Sequence, residues 1–251
     1  MSNYSDFAFV YDRLTGNVNY SQRAEYIRTL FARHGVKNGG DVLDLACGTG
    51  TLTLELADTY EMIGVDNSCD MLSQAQEKMY DAGKRVLFLC QDMTELDLYG
   101  TIDGAVCMLD SLNHLPSPED IRKTIAKVGL FMNHGGIFVF DVNTIYKHRE
   151  ILGDNTFVYD CGDVYCVWQN QLNDDDSVDI CLDIFEQDED VYVRSCEEFT
   201  EIACPIDDYR KWLAEAGFEI IGIYDEMSDK PLCDTTERAV FVTRYTGKKE
   251  D

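Results

Sequence analysis

The most informative feature of this chain is a short apolar strand that runs directly into a glycine-rich turn. Residues 41–50 read DVLDLACGTG, and a second apolar stretch, EMIGVD, ends at Asp66. Glycines at positions 48 and 50 permit positive φ angles and a close approach of a ligand to the backbone. A carboxylate about 20 residues after such a turn is placed to bind a ribose diol. The arrangement predicts a nucleoside cofactor at the strand ends of an α/β sheet.

Two details of the turn indicate which cofactor it binds. Thr53 stands where the dinucleotide fingerprint G-x-G-x-x-G has its third glycine, and Asp44 lies in the strand before the turn. A carboxylate there would repel a pyrophosphate and attract an ammonium group. The stretch resembles the first motif, (V/L)LDLxxGxG, of the class I S-adenosylmethionine-dependent methyltransferases, whose cofactor carries an amino acid end, a sulfonium and no phosphate. The alternatives are a nicotinamide-dependent oxidoreductase and a non-catalytic, regulatory protein that binds S-adenosylmethionine as a signal.

Strand and helix patterns alternate through most of the chain. Strands are predicted at 41–46, 61–66, 86–90, 102–108, 137–141, 218–224 and 238–245. Helices are predicted at 21–34, at 50–58, from Asn67 or Ser68 onward, from Ser117 until Asn133–Gly136, and at 205–216. This alternation predicts an α/β fold with a doubly wound, Rossmann-like sheet, and the apolar run at 86–90 predicts a central strand. The resemblance implies a seven-stranded methyltransferase sheet whose last strand is antiparallel.

The pattern changes to period-two alternation between residues 156 and 203. Acidic turns at 173–176 and 188–190 separate the alternating stretches. This pattern predicts an inserted small antiparallel β-sheet of three or four strands. We therefore expect residues 1–150 and 204–251 to form the S-adenosylmethionine-binding domain, and residues 151–203 to form a β cap that binds the acceptor.

The resemblance assigns cofactor-binding residues to the strand ends. In chain order they are Asp44, Ala46, Cys47, Gly48, Gly50, Asp66, Asn67, Met71, Asp92, Met93, Met108 and Leu109. The residues up to Gly50 would bind the methionine end of the cofactor, the next five its ribose and adenine, and the last two would form a wall beside it. Asp66 would bind the ribose hydroxyls, and Asp92 would accept from the adenine amino group. A turn or helix cap is the alternative role for Asp92.

The segment MLDSLNHL at residues 108–115 faces the sulfonium and the methyl acceptor in the family. Its polar residues are Asp110, Ser111, Asn113 and His114. Asp110 and His114, together with Tyr11 of the N-terminal segment, are the predicted catalytic residues. A neutral imidazole could take a proton from the acceptor. A structural hydrogen-bonding role is the alternative for His114. The resemblance implies no metal.

The N-terminal sequence FAFVYDRL resembles the FAxxYDxL opening of a subgroup of small-molecule methyltransferases. There the segment folds over the cofactor as a lid, so Tyr11 would cover the methionine moiety near the reacting atoms, and Tyr20 would assist. The alternative is an amphipathic helix that only packs against the domain, since Phe7, Val10, Tyr11 and Leu14 share one helical face.

The net charge of −26 limits the partners of the protein. Such a chain repels phosphate backbones, so nucleic acids and anionic membranes are poor partners, although the charge would also serve solubility alone. The predicted cap holds many acids and one cation, Arg194, which favours a cationic amine as the small-molecule acceptor of an in-line SN2 methyl transfer to N or O. Aromatic residues of the cap could cage a cation or form its buried face: Phe157, Tyr159, Tyr165, Trp168, Phe185 and Tyr192.

The remaining features concern location and assembly. The sequence has no apolar run long enough to span a membrane, and its acidic N-terminus does not match a signal peptide. Ten cysteines without a C-x-x-C pair predict a reducing cytoplasm, with neither a zinc site nor a disulfide framework. A monomer and a homodimer that pairs edge strands both remain open.

Overall fold

The computed structural model of the protein describes residues 4–247. The predicted domain boundaries also include residues 1–3 and 248–251, which lie outside the described residues. The α-helices are α1 (Tyr4–Leu14), α2 (Tyr20–His34), α3 (Thr51–Leu56), α4 (Cys69–Asp81), α5 (Pro118–Phe131) and α6 (Ile206–Ala216). The strands are β1 (Asp41–Leu45), β2 (Glu61–Asp66), β3 (Leu87–Cys90), β4 (Ile102–Cys107), β5 (Met132–Asn143), β6 (Thr156–Asp160), β7 (Val164–Leu172), β8 (Val178–Asp188), β9 (Val191–Glu201), β10 (Phe218–Asp225) and β11 (Arg238–Tyr245).

The larger sheet has seven strands in the order β10-β11-β5-β4-β1-β2-β3. Strands β1 to β5 run parallel to one another, and β11 is antiparallel to both β5 and β10. The predicted Rossmann-like sheet with an antiparallel last strand is therefore confirmed. The strand order reverses at β1, which has β4 on one side and β2 on the other, so a ligand is expected at the carboxyl ends of these strands.

Alternate residues of β5 point to the two helical layers of the sheet. Phe138 and Phe140 pack with α5 and α6, where they join a core with Trp212 of α6. Ile137 and Val139 pack on the opposite side with α2 and α3. Both faces of the sheet are therefore covered, and the strand ends remain as the place for a site.

The second sheet is antiparallel, in the order β6-β7-β8-β9, and confirms the predicted insert. Its inner face packs against α1, where Phe7 and Val10 join a core with Cys166, Ile180 and Leu182. Helix α1 also contacts α4. It therefore lies where the insert meets the larger domain.

An ion-pair cluster attaches α1 to the insert. The Arg13 guanidinium pairs with Asp163 at 2.7 Å and also contacts the Glu186 carboxylate. The positive charge of Arg13 on α1 therefore offsets the charges of these two acids of the insert.

Three sequence predictions about the sheet and helices are wrong in detail. Strand β3 lies at the edge of the sheet, and Leu87 is exposed, because an apolar run does not reveal how many strands flank it. Helix α2 begins at Tyr20, one residue before the predicted start at Ser21, because the Asn19 side chain caps it. Strand β5 begins at Met132 directly after α5, so Asn133–Gly136 belong to the strand.

A disulfide joins Cys69 to Cys90, whose Cα atoms lie 5.8 Å apart. The sequence analysis expected none. Cys69 begins α4 and Cys90 ends β3, and the parallel pairing of β2 with β3 brings these two positions together. The cysteine spacing alone does not show this proximity. None of the described helices is long and apolar enough to cross a membrane.

Candidate active site

One cavity of about 710 Å³ lies at the carboxyl ends of β1 to β5, bounded by α1 and the inner face of the insert. Nine of the predicted residues line it: Tyr11, Ala46, Gly48, Asp66, Asn67, Met71, Asp92, Met93 and Leu109. The two predicted catalytic residues from the segment after β4, Asp110 and His114, line it as well. Tyr20, Asp44, Cys47, Gly50 and Met108 are not part of its wall.

The Asp66 carboxylate closes the turn after β1. Its oxygens accept from the Gly48 and Ser68 backbone N–H groups, each at 2.8 Å. Burial raises the pKa of Asp66, and these backbone hydrogen bonds oppose the shift. Gly48 has a φ of 54°, and a Cβ built there would meet no atom within 4 Å. The turn therefore leaves open space beside an acidic acceptor group.

Asp92 has the capping role that was one of its two predicted alternatives, and its binding of adenine stays a prediction. One of its carboxylate oxygens accepts from the Thr94 N–H at 2.8 Å and caps the short helix at Met93–Glu95. The residue also lines the cavity. A capping aspartate can still face a ligand, because a carboxylate has about four acceptor positions.

Two of the predicted residues off the cavity wall, Asp44 and Gly50, support the turn from behind. Asp44 is buried and accepts from the Thr53 hydroxyl at 2.5 Å. Gly50 combines a φ of 73° with a close approach to α4, where an added Cβ would lie 2.9 Å from that of Ala75. Met108 belongs to the core around α2 and α3. Asp44 and Gly50 therefore shape the turn, and Met108 packs in the core, without lining the cavity.

Backbone strain accompanies the cavity at two strand ends. Ala46 after β1 and the pair Leu109 and Asp110 after β4 have positive φ angles of 60°, 59° and 54°. Such angles are uncommon for residues other than glycine and cluster at functional sites. The Asp110 side chain lies in a group of polar residues.

This group, the polar floor of the cavity, consists of Asp110, Asp141, Asn143 and Arg238. The Arg238 Nη1 donates to Asp110 at 3.1 Å and to the buried Asp141 at 3.0 Å. The Asn143 Nδ2 donates to the other oxygen of Asp110 at 2.6 Å. Burial would raise the pKa of Asp110, but the Arg238 charge, helped by Lys147, lowers it well below its usual range. Asp110 is therefore an anion at neutral pH and a weak proton acceptor.

His114 faces an acid of the insert. Its Nε2 lies 3.6 Å from Glu201 Oε1, and its ring packs against Phe199 with ring centroids 4.9 Å apart. Glu201 Oε2 lies 3.6 Å from Nε2 of His148, a fully buried residue whose Nδ1 lies 2.8 Å from the Asp176 carbonyl oxygen. The insert thus places one buried carboxylate between two imidazoles.

The expected acidic lining of the insert is not observed. Among its described residues, Glu201 is the single acid on the cavity wall. Its other acids include Asp183, which pairs with Arg194 on the outer side of the sheet. The side of the cavity formed by the insert is mainly apolar, with Phe157, Tyr159, Cys166, Trp168, Leu182 and Phe199. The other predicted aromatic residues, Tyr165, Phe185 and Tyr192, do not line it.

The sequence analysis missed Asn143, Lys147 and Arg238, and it did not single out Glu201. Asn143 ends β5, so the strand-end rule that found Asp110 could have found it. Arg238 begins the antiparallel strand β11, and the first residue of such a strand lies at the carboxyl edge of its parallel neighbours. Asn113, expected near the reacting atoms, is instead buried and bonded to the Ile202 and Asn143 backbone.

Comparisons with known proteins agree with this geometry. The family model described as a methyltransferase domain matches residues 42–136. The chain is 33% identical to an S-adenosylmethionine-dependent methyltransferase of Clostridium acetobutylicum, whose crystal structure superposes with a TM-score of 0.89 over 97% of this chain and 99% of that one. This chain belongs to the S-adenosylmethionine-dependent methyltransferases. That membership favours methyl transfer over the nicotinamide-dependent and regulatory alternatives.

Two further relatives of this methyltransferase extend the comparison. It is 32% identical to the candidate methyltransferase YqeM of Bacillus subtilis over 241 residues, 95% of each chain. It is 27% identical to a glycine/sarcosine N-methyltransferase of Aphanothece halophytica over 220 residues, 83% of this chain and 76% of that one.

The methyltransferase uses S-adenosylmethionine as its methyl donor, and the donor set of the cavity fits that cofactor. Asp66 and Asp92 offer carboxylate oxygens to hydroxyl and amino groups. The lysine and arginine side chains on the described wall are Lys147, which follows β5, and Arg238, which begins β11. Both strands lie on the side of β4 that faces away from β1. The wall beside Gly48 therefore lacks the cations that a pyrophosphate would attract.

Proposed function

We propose that this methyltransferase transfers the methyl group to a nitrogen or oxygen atom of a small molecule, and that residues 151–203 form the acceptor-binding subdomain. One observation carries the proposal. Asp66 and Asp92 lie at the β2 and β3 end of the same cavity in which His114 and Glu201 lie at the β4 end, against the insert. The relative from Aphanothece halophytica supports a small acceptor, since its name gives glycine and sarcosine as methyl acceptors.

The cofactor would lie along β1 to β3. Ala46 and Gly48 would hold its methionine end, Asp66 its ribose hydroxyls, and Asp92 its adenine amino group, with Leu109 on the wall between. Asn67, Met71 and Met93 would surround the adenine. When bound, S-adenosylmethionine supplies an electrophilic methyl group on a sulfonium, so the protein needs to align the acceptor and exclude water.

Tyr11 would cover the methionine end from α1. Burial raises the pKa of Tyr11 well above its usual value, and the nearby Tyr20 and Asp110 add to the shift. Its hydroxyl therefore stays neutral and can donate a hydrogen bond. Tyr20 would support it from behind the cavity wall.

His114 is the proton acceptor that we propose for acceptors that lose a proton during attack. The Glu201 carboxylate would orient the imidazole and stabilise its protonated form. Asp110 is a poor proton acceptor, because the Arg238 charge lowers its pKa well below the usual range. Its fixed negative charge would instead hold an amino group of the acceptor.

The decisive experiment is calorimetric titration with S-adenosylhomocysteine, with NAD⁺ as the control ligand. We expect only the former to bind. Asp66→Ala should weaken its binding by roughly 10- to 100-fold, the equivalent of one or two charge-assisted hydrogen bonds. The exposed Asp234 offers the matched control, Asp234→Ala.

Binding should be followed by turnover with amine and hydroxyl acceptors, measured with labelled methyl groups. Binding of S-adenosylhomocysteine without methyl transfer to any small molecule would contradict the proposed acceptor class. Unchanged affinity in Asp66→Ala would contradict the proposed cofactor position.

A further inference from the structure

Lys147 differs from the other cation on the cavity wall. Its Nζ donates to the side-chain oxygen of Asn143 at 2.9 Å, and no carboxylate of the described residues forms an ion pair with it. Arg238, by contrast, contacts Asp110, Asp141 and Glu226. An ammonium group has three N–H donors, so Lys147 faces the cavity with a charge that no anion among the described residues contacts directly.

The position of this ammonium group is fixed by a buried amide. The Asn143 Nδ2 donates to Asp110 at 2.6 Å and to Glu201 at 2.9 Å. Its backbone N–H donates to Asn113 at 2.9 Å. With both amide hydrogens directed at carboxylates, the Asn143 oxygen can only face Lys147. The lysine is therefore held in place by the same network that builds the polar floor.

The electrostatic surroundings of Lys147 disfavour its charge. Burial lowers its pKa, and the neighbouring Arg238 lowers it further, against opposing contributions from Asp110, Glu201 and Glu226. An anion in contact with the Nζ would offset both unfavourable contributions. The same acids would repel an anion placed nearer to them, so only the Lys147 side of the floor can receive one.

We propose that Lys147 binds an acidic group of the methyl acceptor. On this proposal, which rests on the proposed function, the acceptor is a small molecule that carries a carboxylate or phosphate in addition to its nucleophile. The acidic group would contact Lys147, the nucleophile would lie beside Asp110 and His114, and an apolar body would contact Trp168 and Phe199. The acidic sequence of the insert predicted only an amine as the acceptor. The present proposal narrows that acceptor to an amine that also carries an acidic group.

Anion binding can be tested without turnover. The probes are sodium acetate and sodium phosphate, added to the complex with S-adenosylhomocysteine and compared with sodium chloride at equal ionic strength. We expect acetate or phosphate to raise the melting temperature above the chloride value in the wild type and in Lys147→Arg, but not in Lys147→Gln. The exposed Lys211 supplies a control, Lys211→Gln, that should behave as the wild type. Equal responses in wild type and Lys147→Gln would overturn the proposal.

Turnover then identifies the class of the acceptor. A protein-free extract of small molecules is incubated with enzyme and labelled S-adenosylmethionine, and the products are separated on an anion exchanger. We expect retained products whose rate of formation falls about 10- to 100-fold in Lys147→Gln and recovers in Lys147→Arg. Labelled products without an acidic group would overturn the inference and leave the proposed function intact.

Two other outcomes separate the proposals. If Lys147→Gln weakens S-adenosylhomocysteine binding as much as it slows transfer, the lysine serves the cofactor and the inference is wrong. If anions bind at Lys147 but no small molecule is methylated, the proposed function is wrong and the anion site stands.

Discussion

Asp44 shows the conflict between burial and charge at the scale of one residue. Its carboxylate is buried behind the glycine turn with one hydroxyl donor, Thr53. Burial raises its pKa to about 7, the Thr53 hydrogen bond opposes this, and the Asp66 charge adds to it. The folded protein thus holds this proton more tightly than the unfolded chain does.

The sign of the effect on stability follows from that difference. Between pH 4 and pH 7, about the range between the unfolded and folded pKa values, stability from Asp44 falls as the pH rises. Asp44→Asn removes the buried charge, so we expect a larger free energy of unfolding at pH 8, by up to about 4 kcal/mol. The gain should shrink towards pH 4. Urea unfolding without cofactor at both pH values measures it, and a less stable variant at pH 8 would contradict the argument.

Glu201 and Glu198 offer a matched pair on the same strand. Glu201 is buried at the cavity, whereas Glu198 is exposed on the outer face of β9. If Glu201 orients His114 as proposed, Glu201→Gln should lower kcat by about 100-fold or more, as loss of general base catalysis does. KM for S-adenosylmethionine and the melting temperature should change little, since the amide oxygen of the variant could still accept from Asn143. Glu198→Gln serves as the control. Equal effects of the two variants on kcat would contradict the proposal that Glu201 orients His114.

At the scale of elements, the cofactor end depends on how α4 and β3 are held together. The Cys69–Cys90 disulfide, 21 residues apart in the chain, joins the start of α4 to the end of β3. Asp66 and Asp92, the two acids proposed to bind adenosine, lie next to its two ends in the sequence. The bridge therefore fixes the separation of the two loops.

Reduction of this bridge should destabilise the protein by about 3 kcal/mol, because a loop of this length gains entropy in the unfolded chain. For a chain of this size the melting temperature should fall by roughly 6–12 °C. Cys69→Ser should reproduce the effect of dithiothreitol and make the variant insensitive to it. Cys233→Ser, at an exposed free cysteine, should leave the response to dithiothreitol intact. If the melting temperature of the wild type is the same with and without dithiothreitol, the bridge does not stabilise the protein.

Helix α1 packs in a core, as one of its two predicted alternatives requires, and it also borders the cavity. Phe7 and Val10 pack into the core of the insert, while Tyr11 lines the cavity. Asp12 accepts from the Thr49 hydroxyl at 2.6 Å and pairs with Lys78 at 2.7 Å. The helix is thus attached to the glycine turn as well as to the insert, as a lid over that turn would need to be.

At the scale of the whole molecule, the net charge of −26 opposes compaction. Like charges repel more strongly in the folded chain, where they are closer together. We expect the urea midpoint to rise as sodium chloride increases from about 0.01 M to 0.5 M, since the Debye length falls severalfold over that range. Choline chloride should act similarly if screening is the cause. A midpoint that stays constant or falls in both salts would show that the repulsion is locally compensated.

The insert shows that a sequence reveals the charge of a segment but not the direction in which its acidic side chains point. Its sequence is acidic, yet its acids mostly point outward, and Glu201 alone reaches the described cavity wall. Period-two alternation tells which residues share a face, but the face that meets the cavity is chosen when β6 to β9 pack against α1. The partner that neutralises Asp163 and Glu186 is Arg13, which lies 150 and 173 residues away from them in the chain.

The part of the cavity wall at the ends of β1 to β3 could be predicted from local sequence patterns, because its residues lie within a few positions of each strand end. Residues 41–50 and Asp66 indicated the fold class and the cofactor together, and the antiparallel insert was evident from its alternation. Local patterns suffice where neighbours in space are also neighbours in sequence.

The acceptor end, by contrast, emerges only when the whole chain has packed. Asn143, Lys147, Glu201 and Arg238 come from β5, the helical turn after it, β9 and β11, and they meet because the antiparallel strand β11 and the insert both return to the carboxyl edge of β4 and β5. The disulfide and the edge position of β3 have the same origin. Each depends on which strands become neighbours, and that choice is made by packing over the whole chain, beyond the range of any local sequence pattern.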